Sequence, residues 1–216
     1  MWIVQSKLLS KVEKYLILLA GSPATGKSYL VEELKQVLPD MFVITPDEGK
    51  EVIADAVGFN NLKEKAALET QVWDFYYGVL NLYMKIGKKV ILSEYPFSEK
   101  QRRRLSELSA QHGYKVITIR LVADFNVLWE RRKKRDVEPS RHLSHIQSHY
   151  HYGDELEDRS KADQLITRSG FKQIIESRRY NDFQLGELYE IDVTDYSKVD
   201  YSELKQTLQN KIMNDK

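Results

Sequence analysis

The sequence predicts a three-layer α/β protein, in which helices cover both faces of a parallel sheet. Short apolar runs alternate with helix-length periodic segments along the chain, and this alternation is typical of parallel sheets. Each run is also continuously apolar, as expected for strands that are covered on both faces. The predicted strands are Tyr15 to Ala20, Met41 to Ile44, Lys89 to Ser93, Lys115 to Val122 and Leu188 to Val193.

Two helical patterns lie between the first three strands. The first places five apolar residues on one helical face: Leu30, Val31, Leu34, Val37 and Leu38. The second is longer and runs from Leu68 to Tyr83. Both follow the 3.6-residue period of an amphipathic helix. Gly87 follows the second pattern, where a glycine commonly ends a helix.

Residues 136–186 have a different composition, which is polar and rich in histidine, arginine and aspartate. Their one modest helical stripe consists of Leu165, Ile166, Ile174 and Ile175. We therefore expect this segment to form an insertion or lid between the fourth and fifth strands, within a single domain that spans residues 1–216.

The composition favours a soluble protein with one sizeable core. The chain has 216 residues and no cysteine, which excludes disulfides and thiolate catalysis. Its 33 basic and 32 acidic residues create no global field that would attract nucleic acid or an anionic membrane. No apolar run approaches the roughly 20 residues of a membrane-spanning helix, and the run before Gly21 is shorter than a signal-peptide core. We expect a cytoplasmic protein.

The motif GSPATGKS, residues 21–28, follows the first predicted strand and opens the first predicted helix. Its glycines let backbone N–H groups point into one concavity, which attracts phosphate together with the helix N-terminus. Lys27 can then reach the β- and γ-phosphates, and the Ser28 hydroxyl can bind Mg²⁺. An ordinary glycine-rich turn would need neither the lysine nor the serine. The residues predicted to bind ATP are Gly21, Ser22, Pro23, Ala24, Thr25, Gly26, Lys27, Ser28 and Tyr29.

Asp47 follows the second predicted strand, in the stretch VITPDEGK. The carboxyl edge of an open α/β sheet is where ligands bind, so Asp47 can accept the proton of a hydroxyl that attacks the γ-phosphate. A purely structural alternative is that Thr45 caps a helix with Pro46 in its first turn. Aspartate is also a common residue in such a turn.

Glu94 follows the third predicted strand, in the stretch VILSEYPFS. A carboxylate in this position can hold Mg²⁺ or its bound water near the phosphates. The alternative is a solvated carboxylate at the end of a strand. The predicted metal ligands are therefore Ser28 and Glu94.

Arg131 and Arg135 lie four residues apart in LWERRKKRD, on one face of a helix after the fourth strand. Phosphoryl transfer spreads negative charge over the moving phosphoryl oxygens, which arginines can stabilise. We predict that Arg131, Arg135 and the nearby Arg141 take part in catalysis. A solvated basic helix is the alternative.

Four of the five histidines are crowded into residues 142–151, and His145 and His149 have a spacing that suits a metal. A zinc site would need a further ligand, which the sequence does not identify. A polar lid segment is the favoured interpretation, and metal binding is left open. The basic run at residues 100–104 lacks interleaved aromatic residues and is weak evidence for nucleic-acid binding.

The chain resembles the P-loop kinases, and among them polynucleotide 5′-kinases, chloramphenicol phosphotransferases and zeta-toxin-like kinases. The resemblance rests on GSPATGKS, on TPDEGK with AVGF shortly after it, on VILSEYPFS, on RRKKRD and on SRHLSH. It implies a P-loop NTPase three-layer sandwich with the strand order 2-3-1-4-5. It also implies that Asp47 activates the acceptor hydroxyl and that Arg131 and Arg135 contact phosphates. The chain departs from the family pattern at Leu143 and Ser144, where related lids have Pro-Gly, and at Glu94, where many members carry aspartate.

These features predict an ATP-dependent phosphotransferase that moves the γ-phosphate to a hydroxyl of a small-molecule or nucleotide-like acceptor. A competing class is a regulatory or switch ATPase that releases no phosphorylated product. A polynucleotide 5′-kinase is a third hypothesis, which the near-neutral charge disfavours. The sequence leaves open the acceptor, the choice between ATP and GTP, and the oligomeric state.

Overall fold

Five parallel strands form one sheet in the order β2-β3-β1-β4-β5. The structure, a computed structural model, describes residues 13–93 and 97–213 of the chain. The strands are β1 (Lys14–Ala20), β2 (Phe42–Ile44), β3 (Val90–Leu92), β4 (Tyr114–Val122) and β5 (Glu187–Asp192). Strand β1 lies in the centre, where it pairs with β3 and β4. The predicted strand order is therefore confirmed.

Helices cover both faces of this sheet. They are α1 (Lys27–Val37), α2 (Pro46–Val57), α3 (Leu62–Lys85), α4 (Glu99–His112), α5 (Phe125–Asp136), α6 (Arg168–Arg178) and α7 (Ser202–Met213). Side chains alternate between the two faces of a strand, so β1 serves both cores. Ile17 and Leu19 pack with residues of α1 and α7, whereas Leu16 and Leu18 pack with residues of α3 and α4. Each of these fully buried side chains contributes about 1.5–3 kcal/mol of hydrophobic stabilisation.

Strand β5 departs from the prediction that every strand is continuously apolar, and for this strand the prediction is wrong. Glu187, Glu190 and Asp192 are exposed. The strand lies at the edge of the sheet, where it pairs with β4, and an edge strand is less covered by helices than a central one. Arg120 of β4 forms an ion pair with Glu190 on this exposed side.

The first part of segment 136–186 docks on α2 and on the loop that follows it. Backbone hydrogen bonds of 2.7 and 2.8 Å join Phe59 and Tyr150. These two side chains belong to a small third core, whose other buried members are Ala54, Leu143, Ile146 and Ala162. The third core attaches the predicted lid to the main domain at a position away from the sheet.

Helix α6 completes this segment by packing against α5. Phe171 is buried, with its ring centroid 6.0 Å from that of Phe125 and 6.3 Å from that of Trp129. The predicted helical stripe is wrong at three of its four residues, because Leu165 and Ile166 precede α6 and Ile174 is exposed. Among the helices of the described residues, none is both long enough and apolar enough to cross a bilayer.

Candidate active site

The loop between β1 and α1 forms a cradle whose shape depends on its glycines. Gly21 and Gly26 have φ angles of +116° and +85°, which L side chains rarely adopt. A Cβ atom at Gly21 would lie 2.1 Å from the Leu121 carbonyl oxygen, so substitution there would displace backbone. The hydroxyl of buried Thr25 donates to the Ser22 carbonyl at 2.9 Å, which closes the loop just before α1 begins.

Lys27 lies across this loop at the first position of α1. Its Nζ atom donates to the carbonyl oxygens of Gly21 and Ser22, at 3.0 and 2.9 Å. Burial lowers the pKa of Lys27 to about 7, and the nearby Arg135 acts in the same direction, whereas Asp47 opposes the shift. An anion placed beside Lys27 would favour its charged form.

A cleft of about 410 Å³ opens beside this loop at the carboxyl ends of the strands. It brings together residues that the sequence places far apart, including the predicted Lys27, Ser28, Asp47, Arg131 and Arg135. The other lining residues are Pro23, Ala24, Gly26, Thr45, Ser93, Lys134, Glu138 and Tyr196. Glu94 lies outside the described residues, although Ser93, the residue before it, lines the cleft.

Asp47 lies in the first turn of α2. The Thr45 side chain accepts a hydrogen bond from the Asp47 backbone N–H at 3.4 Å, and Pro46 is the first helical residue. The capping role therefore belongs to Thr45, which leaves the Asp47 carboxylate facing the cleft. Its nearest cation is Lys50, with Nζ 3.9 Å from Oδ1.

The three predicted arginines have different surroundings. Arg131 donates from Nη1 and Nη2 to the carbonyl oxygens of Val193 and Thr194, at 2.8 and 2.9 Å. Arg135 lines the cleft and donates to Asp136 at 3.2 Å. Arg141 lies beyond α5 and does not line the cleft. Burial lowers the pKa of Arg141, and Arg135 adds to this effect while Asp47 opposes it.

Tyr196, in the loop after β5, is a cleft residue that sequence reasoning missed. The Arg131 guanidinium carbon lies 3.5 Å from the centroid of its ring, and its hydroxyl donates to the Ala24 carbonyl at 3.4 Å. The sequence signal that could have identified Tyr196 is its position after a strand, at the edge of the sheet where ligands bind.

The sequence also did not single out Lys50, whose Nζ lies 3.9 Å from Asp47 Oδ1, because charged residues are common on the surface of a helix.

The clustered histidines have separate partners. Nε2 of His142 lies 3.1 Å from Asp55 Oδ1, and Nε2 of His145 lies 2.8 Å from Glu51 Oε1. His151 contacts the side chain of Asn60 at 3.0 Å. Within residues 13–93 and 97–213, no group of three or more His, Asp or Glu side chains is arranged to hold a metal ion. Two of these histidines connect the lid to α2.

A protein-family model described as an AAA domain matches residues 16–151, which is more than half of the chain. The chain belongs to this family. The match contains the loop of residues 21–28 together with Asp47, Arg131, Arg135 and Arg141. No curated protein matches the chain.

Several solved structures share the fold. A protein of Chloroflexus aurantiacus, provisionally assigned as a kinase, has a TM-score of 0.71 and 20% identity, with 95% of this chain and 100% of that chain covered. Kti12 of Chaetomium thermophilum, in complex with ADP-AlF3, has a TM-score of 0.54 and 15% identity, with 92% and 97% covered. The tunicamycin resistance protein of Deinococcus radiodurans has a TM-score of 0.51 and 14% identity, with 93% and 96% covered. The predicted P-loop NTPase-like fold is confirmed.

Proposed function

We propose that the protein is an ATP-dependent phosphotransferase that moves the γ-phosphate to a hydroxyl group of a small-molecule or nucleotide-like acceptor. The observation that carries this proposal is the position of Asp47. Its carboxylate faces the same cleft as Lys27 and Arg135, and its nearest cation is 3.9 Å away. A carboxylate with these neighbours suits a general base for an alcohol better than a structural ion pair.

The phosphate groups of ATP would lie in the cradle of residues 21–26, at the N-terminus of α1. Backbone N–H groups and the helix dipole favour anions there. Lys27 would leave its two backbone carbonyls for the β- and γ-phosphates. Arg135, which lines the cleft from α5, would stabilise the charge that develops on the moving phosphoryl group.

A recess beside the cradle suits the base of the nucleotide. It has a volume of about 350 Å³ and is lined by Gly26, Tyr29, Tyr196, Val199 and Tyr201. Aromatic rings bind the π-face of any base, so the recess is compatible with either ATP or GTP.

The donor atoms at this site suit magnesium. The exposed Ser28 hydroxyl lines the cleft, and Mg²⁺ prefers oxygen ligands. Ser28 and, by its sequence position, Glu94 would hold the ion. When bound, Mg²⁺ neutralises phosphate charge.

In the proposed reaction Asp47 takes the proton of the acceptor hydroxyl while the acceptor oxygen bonds to the γ-phosphorus. The bond between that phosphorus and the β,γ-bridging oxygen breaks, and ADP leaves with the electron pair. Lys27 and Arg135 would hold the phosphoryl oxygens during this transfer.

The test is acceptor-dependent release of ADP across a library of alcohols, with phosphorylated products identified by mass spectrometry. We expect Asp47→Asn to lower kcat by about 100-fold or more, because a general base contributes roughly 10²–10⁴ in rate. ATP affinity should change little. Asp40→Asn is the matched control, because Asp40 is exposed and lies outside the cleft.

Three outcomes would contradict this proposal. Release of ADP that no alcohol stimulates, with no phosphorylated product, would indicate a switch ATPase. An Asp47→Asn enzyme with unchanged kcat would show that Asp47 is not the general base. Phosphorylation of oligonucleotide 5′-ends in preference to small alcohols would indicate a polynucleotide kinase.

A further inference from the structure

Asp136, the last residue of α5, carries a carboxylate that is buried between two arginines of the same helix. The residue is only 3% exposed. Arg132 donates from Nε to Oδ2, and Arg135 donates from Nε and Nη2 to Oδ1, at 3.4 and 3.2 Å. Each carboxylate oxygen therefore faces a different guanidinium group.

The two arginines lie in different surroundings. Arg132 is buried, and its guanidinium carbon lies 5.8 Å from the centroid of the Phe171 ring of α6. The Arg135 side chain is 32% exposed and lines the cleft. Asp136 is not among the described residues that line the cleft. It therefore connects an arginine of the interior to an arginine of the proposed active site without reaching that site itself.

The hydrogen bonds from Arg135 to Asp136 restrict a side chain that would otherwise be mobile. An ion pair with Arg132 alone would be sufficient to compensate the burial of the carboxylate. An arginine at a helix surface, however, has many rotamers, and it loses that freedom when it binds a ligand. A carboxylate that already restricts the guanidinium group lowers this entropic cost and fixes the direction of its N–H groups.

We propose that Asp136 is a positioning residue, which holds the Arg135 guanidinium group in the orientation that contacts the phosphoryl group during its transfer. Arg132 fixes Asp136 in turn from the interior. This inference rests on the proposed phosphotransferase function, in which Arg135 stabilises the charge on the moving phosphoryl group, and it adds a residue that touches neither nucleotide nor acceptor.

Asp136 has two effects on an anion in the cleft, and they have opposite signs. Its negative charge opposes the attraction between Arg135 and phosphate, so by charge alone its removal would strengthen phosphate binding. Its hydrogen bonds orient Arg135, so by positioning its removal would weaken the contact with a phosphoryl group in transfer. The sign of the measured change therefore separates the two effects.

The first experiment measures binding without an acceptor. Calorimetry gives the affinities for Mg·ADP alone and for Mg·ADP with aluminium fluoride, an analogue of the phosphoryl group in transfer. Asp136→Asn is the test variant, because it keeps the size of the side chain and removes its charge. We expect its affinity for Mg·ADP to be equal to that of the wild type or slightly higher. Its affinity for Mg·ADP with aluminium fluoride should fall about tenfold to 100-fold, on the scale of a misplaced catalytic group.

Glu130→Gln is the matched control. Glu130 is an exposed residue of the same helix and forms an ion pair with Lys133 at 2.7 Å, so this variant also removes a paired carboxylate from α5. Both affinities should equal those of the wild type.

A double-mutant cycle tests whether Asp136 acts through Arg135. In an Arg135→Ala background, Asp136→Asn should cause little further loss of affinity for Mg·ADP with aluminium fluoride, because the group that it positions is absent. A purely structural role for Asp136 would give the same loss in both backgrounds.

Thermal melting shows whether Asp136→Asn folds, since the change leaves the buried Arg132 without this carboxylate. If it does not fold, the double variant Arg132→Gln with Asp136→Asn replaces the ion pair by two neutral side chains. The double variant should show the same selective loss of affinity for the analogue.

Turnover on an alcohol identified in the acceptor screen gives a second readout. Asp136→Asn should lower kcat about tenfold to 100-fold and leave KM for ATP nearly unchanged, as expected for an interaction made only in the transition state.

Four outcomes would overturn the inference. They are stronger binding of both ligands by Asp136→Asn, affinities equal to those of the wild type, an undiminished loss in the Arg135→Ala background, and a wild type that binds Mg·ADP but gains no affinity from aluminium fluoride. All four leave nucleotide binding and the proposed role of Asp47 in place. Failure of the wild type to bind Mg·ADP would instead remove the proposed function, together with the inference that rests on it.

Discussion

The two sides of the cleft are built in different ways. The proposed phosphate side consists of one continuous loop before α1, whose shape depends on its backbone conformation, with φ angles of +116° at Gly21 and +85° at Gly26. The rest of the cleft consists of side chains that separate elements supply, among them Asp47 of α2, Arg135 of α5 and Tyr196 of the loop after β5. The shape of the proposed phosphate cradle is therefore encoded locally, whereas the rest of the cleft depends on how distant segments dock.

The largest expected effect comes from Arg135, which lines the cleft from α5. Arg135→Lys keeps the charge but loses the planar fork, so we expect kcat to fall by up to about 10³, on the scale of arginine fingers. ATP affinity should fall much less, since the contact is made mainly in the transition state. Pre-steady-state and steady-state kinetics measure the change in kcat. Lys133→Ala, an exposed position of the same helix, is the control, and an Arg135→Lys enzyme with normal kcat would show that Arg135 is only a solvated residue.

Lys27→Ala is expected to act mainly on the affinity for ATP·Mg. Removal of the ammonium should weaken ATP·Mg binding roughly 10- to 100-fold, as expected for a charge-assisted hydrogen bond. Calorimetry measures the affinity. Unchanged binding by Lys27→Ala would contradict the assignment of the cradle to phosphate.

The pKa of Lys27 adds a sharper test of the same residue. Because its pKa is lowered to about 7 in the free protein, Lys27 is mostly neutral at pH 8, and phosphate should restore its charge. Nucleotide binding at pH 8 should therefore take up nearly one proton, and fewer below pH 7. Calorimetry in buffers of different ionisation enthalpy measures the uptake, which should disappear in Lys27→Ala. For the same reason the folding stability linked to Lys27 should rise between about pH 7 and its unfolded value of 10.5.

A further effect on the phosphate side is expected at Tyr196. Its ring stacks on Arg131 and lines the recess assigned to the base. Tyr196→Ala should weaken nucleotide binding by about tenfold, on the scale of loss of base stacking, while Tyr196→Phe should retain most of the affinity. Equal affinities in the wild type and both variants would place the base elsewhere.

The smallest expected effect concerns the docking of the lid on α2, through His145 and Glu51. Burial lowers the pKa of His145, and Arg141 acts in the same direction, while Glu51 and Asp47 oppose the shift. The folded protein therefore holds fewer protons here than the unfolded chain, and the stability linked to His145 falls as the pH drops below about 6.5. The protection of residues 141–150 against hydrogen exchange, after correction for the intrinsic pH dependence of the exchange rate, should be lower at pH 5.5 than at pH 7.5. His145→Gln should reduce this difference, and an identical pH response in that variant would contradict the prediction.

The sequence predicted the sheet and its cradle well because their signals are local. The apolar run of β1 and the residues GSPATGKS lie next to each other along the chain, and so do the structures that they form. The position of β5 was also predicted, but not its exposure, since Glu190 and Asp192 are exposed at the edge of the sheet. The predicted helical stripe failed at Ile174, because α6 buries Phe171 against α5 instead.

What the sequence alone determined is the fold class, the glycine-rich loop between β1 and α1, and the place of Asp47 just after β2, since hydrophobic periodicity and backbone conformation depend on neighbouring residues. Only the tertiary structure decided that the Tyr196 hydroxyl donates to the Ala24 carbonyl and that Arg131 binds the Val193 and Thr194 carbonyls. Such contacts form when separate helices and loops pack together. The sequence does not reveal them, because a charged or aromatic residue reads the same whether its side chain faces solvent or a neighbouring segment.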